Sequence, residues 1–350
     1  MECGDLSPLS TAGLVTPPCV DVASRQVGSS KAVTSHRTPK KRPSVHLLPG
    51  FSAYVGADLA AGLVATGMIY EEGPALLVDV GTNGEIVAKT GGRIVGCSTA
   101  AGPAFEGAGL TCGMRAARGA IERVRMRVDE AGVFSVECDV IGGGGGADAR
   151  KTNKKRPDPF REVKPVGMCG SAYVDFLWEG RRAGLLQENG RFVAQELLPK
   201  GAHVEAGAGG RRFRICENAA TGAGGTGGAL WISEGDIVKL LQAKAAIGAG
   251  IGTLLGVLGI TASEVRRLHL AGGFGMHLSL EHAIGCGLLP GFVPGQVEVA
   301  GNAALGGAYL ALHDKALLGE MERARQRFET VELNLQPGFE DAYIDNLALG

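Results

Sequence analysis

The sequence predicts an α/β protein in which helices pack on a mixed sheet. Two apolar runs of strand length flank a glycine turn at residues 79–84 (Asp-Val-Gly-Thr-Asn-Gly), and a third run follows at once. Helical patterns come next, and residues 265–273 form a short strand pattern that leads into two glycines before another helix. This order is typical of layered structures with helices on a sheet.

The composition fits a globular protein with one large or two ordinary domains. The chain has 350 residues, of which 45% are hydrophobic, and a formal net charge of -1 at pH 7. A nearly neutral chain lacks the basic field that nucleic-acid binding uses, so we expect no nucleic-acid partner. The 57 glycines follow no Gly-X-Y period, so they predict many tight turns and exclude a collagen-like protein.

Two segments have the composition of disordered chain. Residues 1–46 are rich in Ser, Thr, Pro and basic residues without a period, which predicts a disordered tail. Residues 142–164 begin with five consecutive glycines and continue into a basic run. This predicts a disordered surface insertion, and a basic loop that binds phosphate or a partner is the alternative. We expect the ordered domain to span residues 47–346.

The chain shows no pattern of a targeting or membrane-spanning sequence. A signal peptide would begin with a basic stretch followed by an apolar one, and the residues after Met1 show neither. The most apolar stretch, residues 245–260, is too short and too rich in glycine for a spanning helix. We therefore expect a cytoplasmic protein without a membrane partner.

The cysteine spacing predicts reduced, mostly buried thiols. No two cysteines form a C-x-x-C pair, and the C-x4-C-x2-C spacing of a plant-type iron–sulfur cluster does not occur. We expect no iron–sulfur cluster in this chain. The eight cysteines are Cys3, Cys19, Cys97, Cys112, Cys138, Cys169, Cys216 and Cys286.

The elements follow from local patterns, in chain order. Residues 55–69 predict a helix, and residues 75–79, the run from Glu85 and residues 93–97 predict an antiparallel meander. Ser233 predicts the N-cap of a long helix that reaches residue 258. The other predicted elements are a helix from residue 171 to 183, a weak strand region at 191–216, a strand at 265–270, helices at 279–285 and 302–313, and a short strand and helix within 328–344.

The glycine turn at residues 79–84 carries the strongest chemical signal. Gly81 and Gly84 would let backbone N–H groups approach a phosphate, and Thr82 and Asn83 add side-chain donors. Asp79, at the end of a buried strand, could hold the water shell of the Mg²⁺ that accompanies a nucleotide. A plain hairpin turn would use the same residue types, and it remains the alternative.

Two further segments have a pattern that suits a nucleotide. A strand that leads into Gly272 and Gly273 leaves flat backbone on which adenosine could lie, although a tight strand–helix turn would look the same. Glu106 stands among small residues at 98–109, where it could orient a water or a metal, or cap a helix. Residues 91–98 lack the lysine of a P-loop, and residues 222–227 follow no strand, so we reject both as phosphate loops.

The histidines form no zinc or metalloprotease spacing. His277 and His282 lie near the predicted Gly272–Gly273 turn, and we expect both to serve packing.

Taken together, the motifs resemble the reductive activators of corrinoid proteins. The match covers roughly residues 48–146 and 163–346. It rests on residues 76–86, 97–109, 112–116, 167–171, 242–247, 270–275, 287–290 and 301–304, in that order. The resemblance implies a ribonuclease-H-like lobe of the actin/sugar-kinase/heat-shock-protein ATPase (ASKHA) superfamily, as in the C-terminal domain of these activators.

The resemblance also implies an activity. The family uses ATP hydrolysis to drive electron transfer to a cobalt(II) corrinoid, so we expect ATP and Mg²⁺ as cofactors and a corrinoid protein of a methyltransferase system as partner. Asp79 and Glu106 would be the catalytic residues, with Asp79 also at the metal. The implied nucleotide-binding residues are Gly81, Thr82, Asn83, Gly84, Lys244, Gly272 and Gly273.

The chain departs from the family pattern in two respects. Family members usually begin with a plant-type [2Fe–2S] domain and carry an upstream lobe with its own phosphate loop, and neither pattern occurs here. We therefore expect the second lobe alone, working with a separate iron–sulfur donor, with a subunit that supplies the other lobe, or as a homodimer. The alternative is a non-catalytic module that docks on a corrinoid protein or completes a partner subunit.

Overall fold

The computed structural model describes residues 45–143, 163–217, 228–274 and 277–350. The chain divides into Met1–His46 and a unit that spans Leu47–Gly350, and the description below concerns the second. The predicted tail up to residue 44, most of the predicted insertion at 142–164 and the rejected motif at 222–227 lie outside the described residues.

The described residues form seven helices and twelve strands. The helices are α1 (Ala57–Ala65), α2 (Gly170–Arg182), α3 (Glu234–Leu258), α4 (Leu280–Gly285), α5 (Ala303–His313), α6 (Ala316–Arg327) and α7 (Phe339–Asp345). The strands are β1 (Ala75–Val80), β2 (Gly84–Thr90), β3 (Arg93–Thr99), β4 (Ala120–Val128), β5 (Phe134–Val140), β6 (Gly167–Met168), β7 (Val204–Gly207), β8 (Gly210–Glu217), β9 (Ala229–Ser233), β10 (Arg267–Ala271), β11 (Val297–Gly301) and β12 (Phe328–Thr330).

A six-stranded mixed sheet organises the fold, in the order β11-β10-β1-β2-β3-β12. Strands β1, β2 and β3 form the predicted antiparallel meander. Strand β10 pairs with β1 in parallel, β11 with β10 in parallel, and β12 with β3 in parallel. An antiparallel meander extended by two parallel strands is the ribonuclease-H-like arrangement of an ASKHA lobe, and the predicted α/β fold class is confirmed.

Both faces of this sheet are buried. Successive side chains of a strand point to opposite faces, so neighbouring residues of β1 belong to two different core clusters. Leu77 belongs to a core cluster with Leu59 of α1 and Ala303 of α5. Leu76 and Val78 belong to the main core cluster, which includes apolar residues of α3. Helices α1, α5 and α6 therefore cover one face, and α3 covers the other.

Two small sheets and α2 build the remainder of the core. Strands β5, β4 and β6 form one three-stranded sheet, and β7, β8 and β9 form the other. Phe176 of α2 and Phe213 of β8 are both buried, with ring centroids 6.3 Å apart. These residues share the main core cluster with α3, so the small sheets and the large sheet have one continuous core.

Helix α3 begins where the sequence predicts. The Ser233 side chain accepts a hydrogen bond from the Asp236 amide, and the Asp236 carboxylate accepts one from the Ser233 amide at 2.9 Å. The helix has 25 residues and ends at Gly259, whose φ of 67° is left-handed.

Helix α3 corrects the prediction about length. It is long and apolar enough to cross a membrane, whereas the sequence suggested that its apolar stretch was too short. In this fold 72% of the apolar window is buried, as the central helix of a protein core requires. Among the described residues no other helix has that length and composition.

Other predicted boundaries shift for local reasons. The helix predicted at residues 55–69 ends at Ala65, because Gly67 takes a left-handed φ of 72° before a 3-10 turn at Met68–Tyr70. Within the strand region predicted at residues 191–216, the structure has two strands, β7 and β8. The sequence analysis did not predict β4, β5, β11 or α6.

The cysteines agree with the prediction of reduced, mostly buried thiols. Within the described residues, Cys97, Cys112, Cys169 and Cys286 are buried and Cys138 and Cys216 half-buried, all without a disulfide. Burial raises the pKa of the Cys97 and Cys112 thiols to about 12, so both stay protonated and unreactive near neutral pH.

Candidate functional site

A cavity of about 470 Å³ opens at the end of the large sheet where β1 and β10 finish. It brings together five residues that the sequence analysis singled out from three distant segments. These are Asp79, Gly81, Glu106, Gly272 and Gly273. Thr82 and Asn83 are exposed in the same turn, next to the lining residues.

Strand pairing explains why these segments meet. In a parallel pair the carboxyl ends of both strands lie at the same edge of the sheet, and Asp79 lies opposite Ala271. The next residue, Gly272, has a φ of 98°, and a Cβ there would lie 2.5 Å from the Val80 carbonyl oxygen and 3.0 Å from Asp79 Oδ1. Only glycine can bring the backbone this close to the Asp79 carboxyl.

The Asp79 carboxyl group is largely buried and has no hydrogen-bond or ion-pair partner among the described residues. Burial, with a smaller contribution from the negative charge of Asp58 at the start of α1, raises its pKa to about 6. Its environment favours the binding of a metal ion or a donor from a ligand, because either would compensate the charge.

The turn after β1 is held from both sides. The Gly81 amide donates to the Asn83 carbonyl at 3.0 Å. The Thr82 hydroxyl donates to Glu106 Oε1 at 3.1 Å, so the turn is tied directly to the second predicted catalytic carboxylate. An Asn83 hydrogen bond lowers the pKa of Glu85, while burial raises it more strongly. Asn83 therefore has a structural role in this turn.

Glu106 closes a short 3-10 turn, Pro103–Glu106, and faces the cavity half-buried. The preceding Phe105 stacks on Phe274 with ring centroids 5.1 Å apart, which couples this turn to the Gly272–Gly273 segment. Gly107 follows with a φ of 78°, and a Cβ there would lie 2.6 Å from the Met114 amide nitrogen. The chain 112–116 is thereby packed against the Glu106 turn.

Gly84 and Lys244 do not line the cavity, although the sequence analysis predicted that both bind the nucleotide. A Cβ at Gly84 would lie 2.6 Å from Thr99 Oγ1 and 2.9 Å from Ile247 Cγ1, so Gly84 allows β2 to pack closely on α3. Lys244 is 1% exposed inside α3.

The bonds of Lys244 show what it does in this structure. Its ammonium group donates to the Asn346 carbonyl and, at 2.7 Å, to the Ala348 carbonyl. Burial lowers its pKa. The lysine fixes the chain after α7 to the core. Its nucleotide-binding role stays a prediction, since nothing in an apolar helix indicates which way one lysine points.

The cavity also contains residues that the sequence analysis did not assign. Arg115, Ser171, His277 and Asn302 line it. Residues 112–116 had matched the family pattern, and that match was the signal that could have pointed to Arg115. His277 was expected to serve packing, yet it is exposed at the cavity.

His282 serves packing, as the sequence analysis expected. Its Nδ1 atom lies 2.6 Å from Asp175 Oδ1 within a cluster of buried side chains.

The described residues contain no group of three or more His, Cys, Asp or Glu side chains that could hold a metal alone. Two carboxylates at one cavity instead suit Mg²⁺, which is commonly bound by one or two carboxylates together with water and substrate phosphates. Asp79 fits this role because its carboxyl group has no protein partner.

Comparison with known proteins identifies the family. The family described as the C-terminal domain of RACo, the ASKHA domain, matches residues 73–350. The chain belongs to this family. The residues that line the cavity all lie within the matched range, and the predicted resemblance is confirmed.

Relatives of this RACo domain are named as corrinoid activators. The "Corrinoid activation enzyme RamQ" of Eubacterium limosum is 32% identical over 314 residues, which cover 88% of this chain and 48% of the relative. The "[Co(II) methylated amine-specific corrinoid protein] reductase" of Methanosarcina barkeri is 26% identical over 280 residues, 78% of this chain and 45% of the relative.

A solved structure has the same fold. The "Reductive activator for corrinoid,iron-sulfur protein" matches with a TM-score of 0.72 and 32% sequence identity, over 86% of this chain and 44% of that chain. This chain thus spans about half the length of the relatives that it matches.

Proposed function

We propose that this RACo-type domain binds Mg-ATP in the cavity at the carboxyl ends of β1 and β10, and that ATP hydrolysis there drives the reduction of a cobalt(II) corrinoid protein. One observation carries the proposal: the turn after β1, the Glu106 turn and the Gly272–Gly273 turn surround a single cavity. The names of the relatives, which describe corrinoid activation and a cobalt(II) corrinoid protein reductase, supply the reaction.

Each segment would have a definite role in binding. Asp79 would hold Mg²⁺ through its unpartnered carboxyl group, and the backbone of Gly81, with Thr82 beside it, would approach the phosphates. Adenosine would lie on Gly272 and Gly273, since a Cβ at Gly273 would meet no atom within 4 Å and the surface there is open.

Glu106 would act on the attacking water. Its Oε1 atom accepts from Thr82, which leaves the other carboxylate oxygen for a water that faces the terminal phosphate. The bound Mg²⁺ would stabilise the charge that develops on the phosphate oxygens. A general base in this position contributes about 10²–10⁴-fold to a rate.

The proposed partners follow from the openness of the site and from the relatives. The surface at Gly273 is open, and the chain matches about half the length of its relatives, so we propose that a second ATPase lobe faces this cavity. The electron would come from a separate iron–sulfur protein, and the acceptor would be the corrinoid protein of a methyltransferase system.

Calorimetric titration of Mg-ATP into the full chain tests the binding step. We expect Asp79→Asn to weaken binding at least about tenfold, because the variant cannot hold the metal as a charged ligand. Asp345→Asn changes an exposed carboxylate that makes no side-chain hydrogen bond or ion pair among the described residues, and it serves as the matched control. Absence of binding by the unmodified chain, with and without the corrinoid protein, would refute the proposal.

A second candidate is a non-catalytic module that docks on a corrinoid protein or completes a partner subunit, and the open surface at Gly273 would suit such a contact. Phosphate release in the presence of the partners separates the two. Hydrolysis that is lost in Glu106→Gln while ATP binding persists supports catalysis. Equal binding of the corrinoid protein without any phosphate release supports the module.

A further inference from the structure

Arg115 differs from the other residues of the cavity because it has a positive charge that no carboxylate among the described residues neutralises. It is exposed, it lines the cavity, and among the described residues its guanidinium group takes part in no hydrogen bond or ion pair. No other lysine or arginine occurs among the described lining residues. An arginine that neither pairs with nearby carboxylates nor packs on an aromatic ring is available to a ligand.

The position of Arg115 is fixed although its side chain is free. The Met114 amide donates to the Met168 carbonyl at 2.9 Å, and the Met168 amide donates to the Cys112 carbonyl at 2.8 Å. On the other side, Met114 packs against Gly107, directly after Glu106. The backbone before Arg115 is thus anchored to β6 and to the Glu106 turn, so Arg115 belongs to the same wall of the cavity as Glu106.

A nucleoside triphosphate in this cavity would need a positively charged side chain besides Mg²⁺. Asp79 and Glu106 attract a metal ion but repel phosphates, and a nucleoside triphosphate carries more negative charge than one Mg²⁺ neutralises. Arginine suits the remaining charge, because its planar fork of N–H donors matches the oxygens of a phosphate and stays charged at any physiological pH.

We infer that Arg115 binds the terminal phosphate of the nucleotide and makes the cavity selective for a nucleoside triphosphate over the diphosphate. The inference rests on the proposed function, since Glu106 would hold the water that attacks the terminal phosphate, and Arg115 lies on the wall that Glu106 occupies. Arg115 is therefore a residue that distinguishes substrate from product, because the diphosphate that remains after hydrolysis lacks the phosphate group that Arg115 contacts.

Calorimetric titrations of ATP, ADP and AMP, each with Mg²⁺, into the full chain test this role. We expect Arg115→Gln to weaken ATP binding about tenfold, the effect of losing one hydrogen bond to a charged group, and to leave ADP and AMP binding unchanged. Arg115→Lys should recover part of the ATP affinity, because it keeps the charge and loses the fork.

A matched control is Arg191→Gln. Arg191 is exposed, its side chain makes no hydrogen bond or ion pair among the described residues, and it does not line the cavity. Its affinities for all three nucleotides should equal those of the unmodified chain. Melting temperatures of both variants should stay unchanged, since neither side chain has a partner to lose, and this separates loss of binding from loss of folding.

Two outcomes would overturn the inference in distinguishable ways. If Asp79→Asn weakens ATP binding while Arg115→Gln leaves it intact, or weakens ATP and ADP equally, the proposed function stands and the role of Arg115 is refuted. If the unmodified chain binds no nucleotide at all, the proposed function fails and the inference fails with it.

Discussion

The carboxyl group of Asp79 is proposed to bind the metal, yet we expect it to lower the stability of the fold when it is ionised. Its pKa rises from an ordinary value of 3.8 to about 6 in the folded protein. The folded state therefore binds the proton more tightly than the unfolded state. Above pH 6 the Asp79 carboxyl group loses its proton at a lower free-energy cost in the unfolded chain than in the folded chain. The charged Asp79 therefore lowers the free energy of unfolding. This loss of stability disappears as the pH falls towards 3.8.

The magnitude follows from the shift. About two units, at about 1.4 kcal/mol per unit, give about 3 kcal/mol as an upper value, and partial exposure of the group reduces it to about 1–3 kcal/mol. In the absence of nucleotide and Mg²⁺, Asp79→Asn should therefore be more stable than the unmodified chain at pH 7.5, by at least about 2–4 °C in melting temperature. The same variant should bind Mg-ATP less well.

The assay is thermal unfolding of Asp79→Asn, Asp345→Asn and the unmodified chain at pH 7.5 and pH 5. At pH 5 the unmodified chain carries its proton in the folded state while the unfolded chain is mostly ionised, so the advantage of Asp79→Asn should fall to about half. Asp345→Asn should show little change at either pH. An advantage that is absent at pH 7.5, or that grows as the pH falls, would refute the argument from burial.

Three further substitutions test other contacts. Lys244→Met should lower stability by about 1–3 kcal/mol, because it leaves the Asn346 and Ala348 carbonyls unsatisfied, and calorimetry should show unchanged nucleotide affinity if Lys244 is structural. Gly272→Ala should cost about 1–3 kcal/mol in denaturant unfolding and abolish nucleotide binding, because a left-handed φ and the Val80 carbonyl exclude a Cβ. Ser233→Ala should cost about 1 kcal/mol, measured as a lower melting temperature, since it removes the cap of α3.

The sequence predicted the meander and the long helix well because their signals are local. Strand β1 is apolar on both faces, the turn after it has glycines and polar residues, and Ser233 caps α3 through a residue three positions away. Such patterns need no knowledge of the partner element. The predicted site residues that line the cavity belong to local patterns too, since each lies at the end of a recognisable strand or in a turn that follows one.

Two missed elements have local signals that the sequence analysis did not use. Strand β4 alternates apolar and basic residues, which is the pattern of a half-buried strand. Helix α6 has ion pairs three residues apart, Glu320–Arg323 and Glu322–Arg325. The contact of Lys244 differs, because its partner is distant in the chain. Lys244 points to the chain beyond α7, about a hundred residues later. No local pattern could have indicated that contact.

The charges in the cavity connect these observations to function. Arg115 and Asp79 line the same cavity, yet they form no ion pair with each other, and each lacks any other partner among the described residues. If the cavity served stability alone, the two charges would be expected to pair, because an unpaired buried carboxyl group is costly. Their separation leaves one site for a cation and one for an anion. A metal-bound phosphate supplies both at once, and neither a free metal ion nor a free anion does.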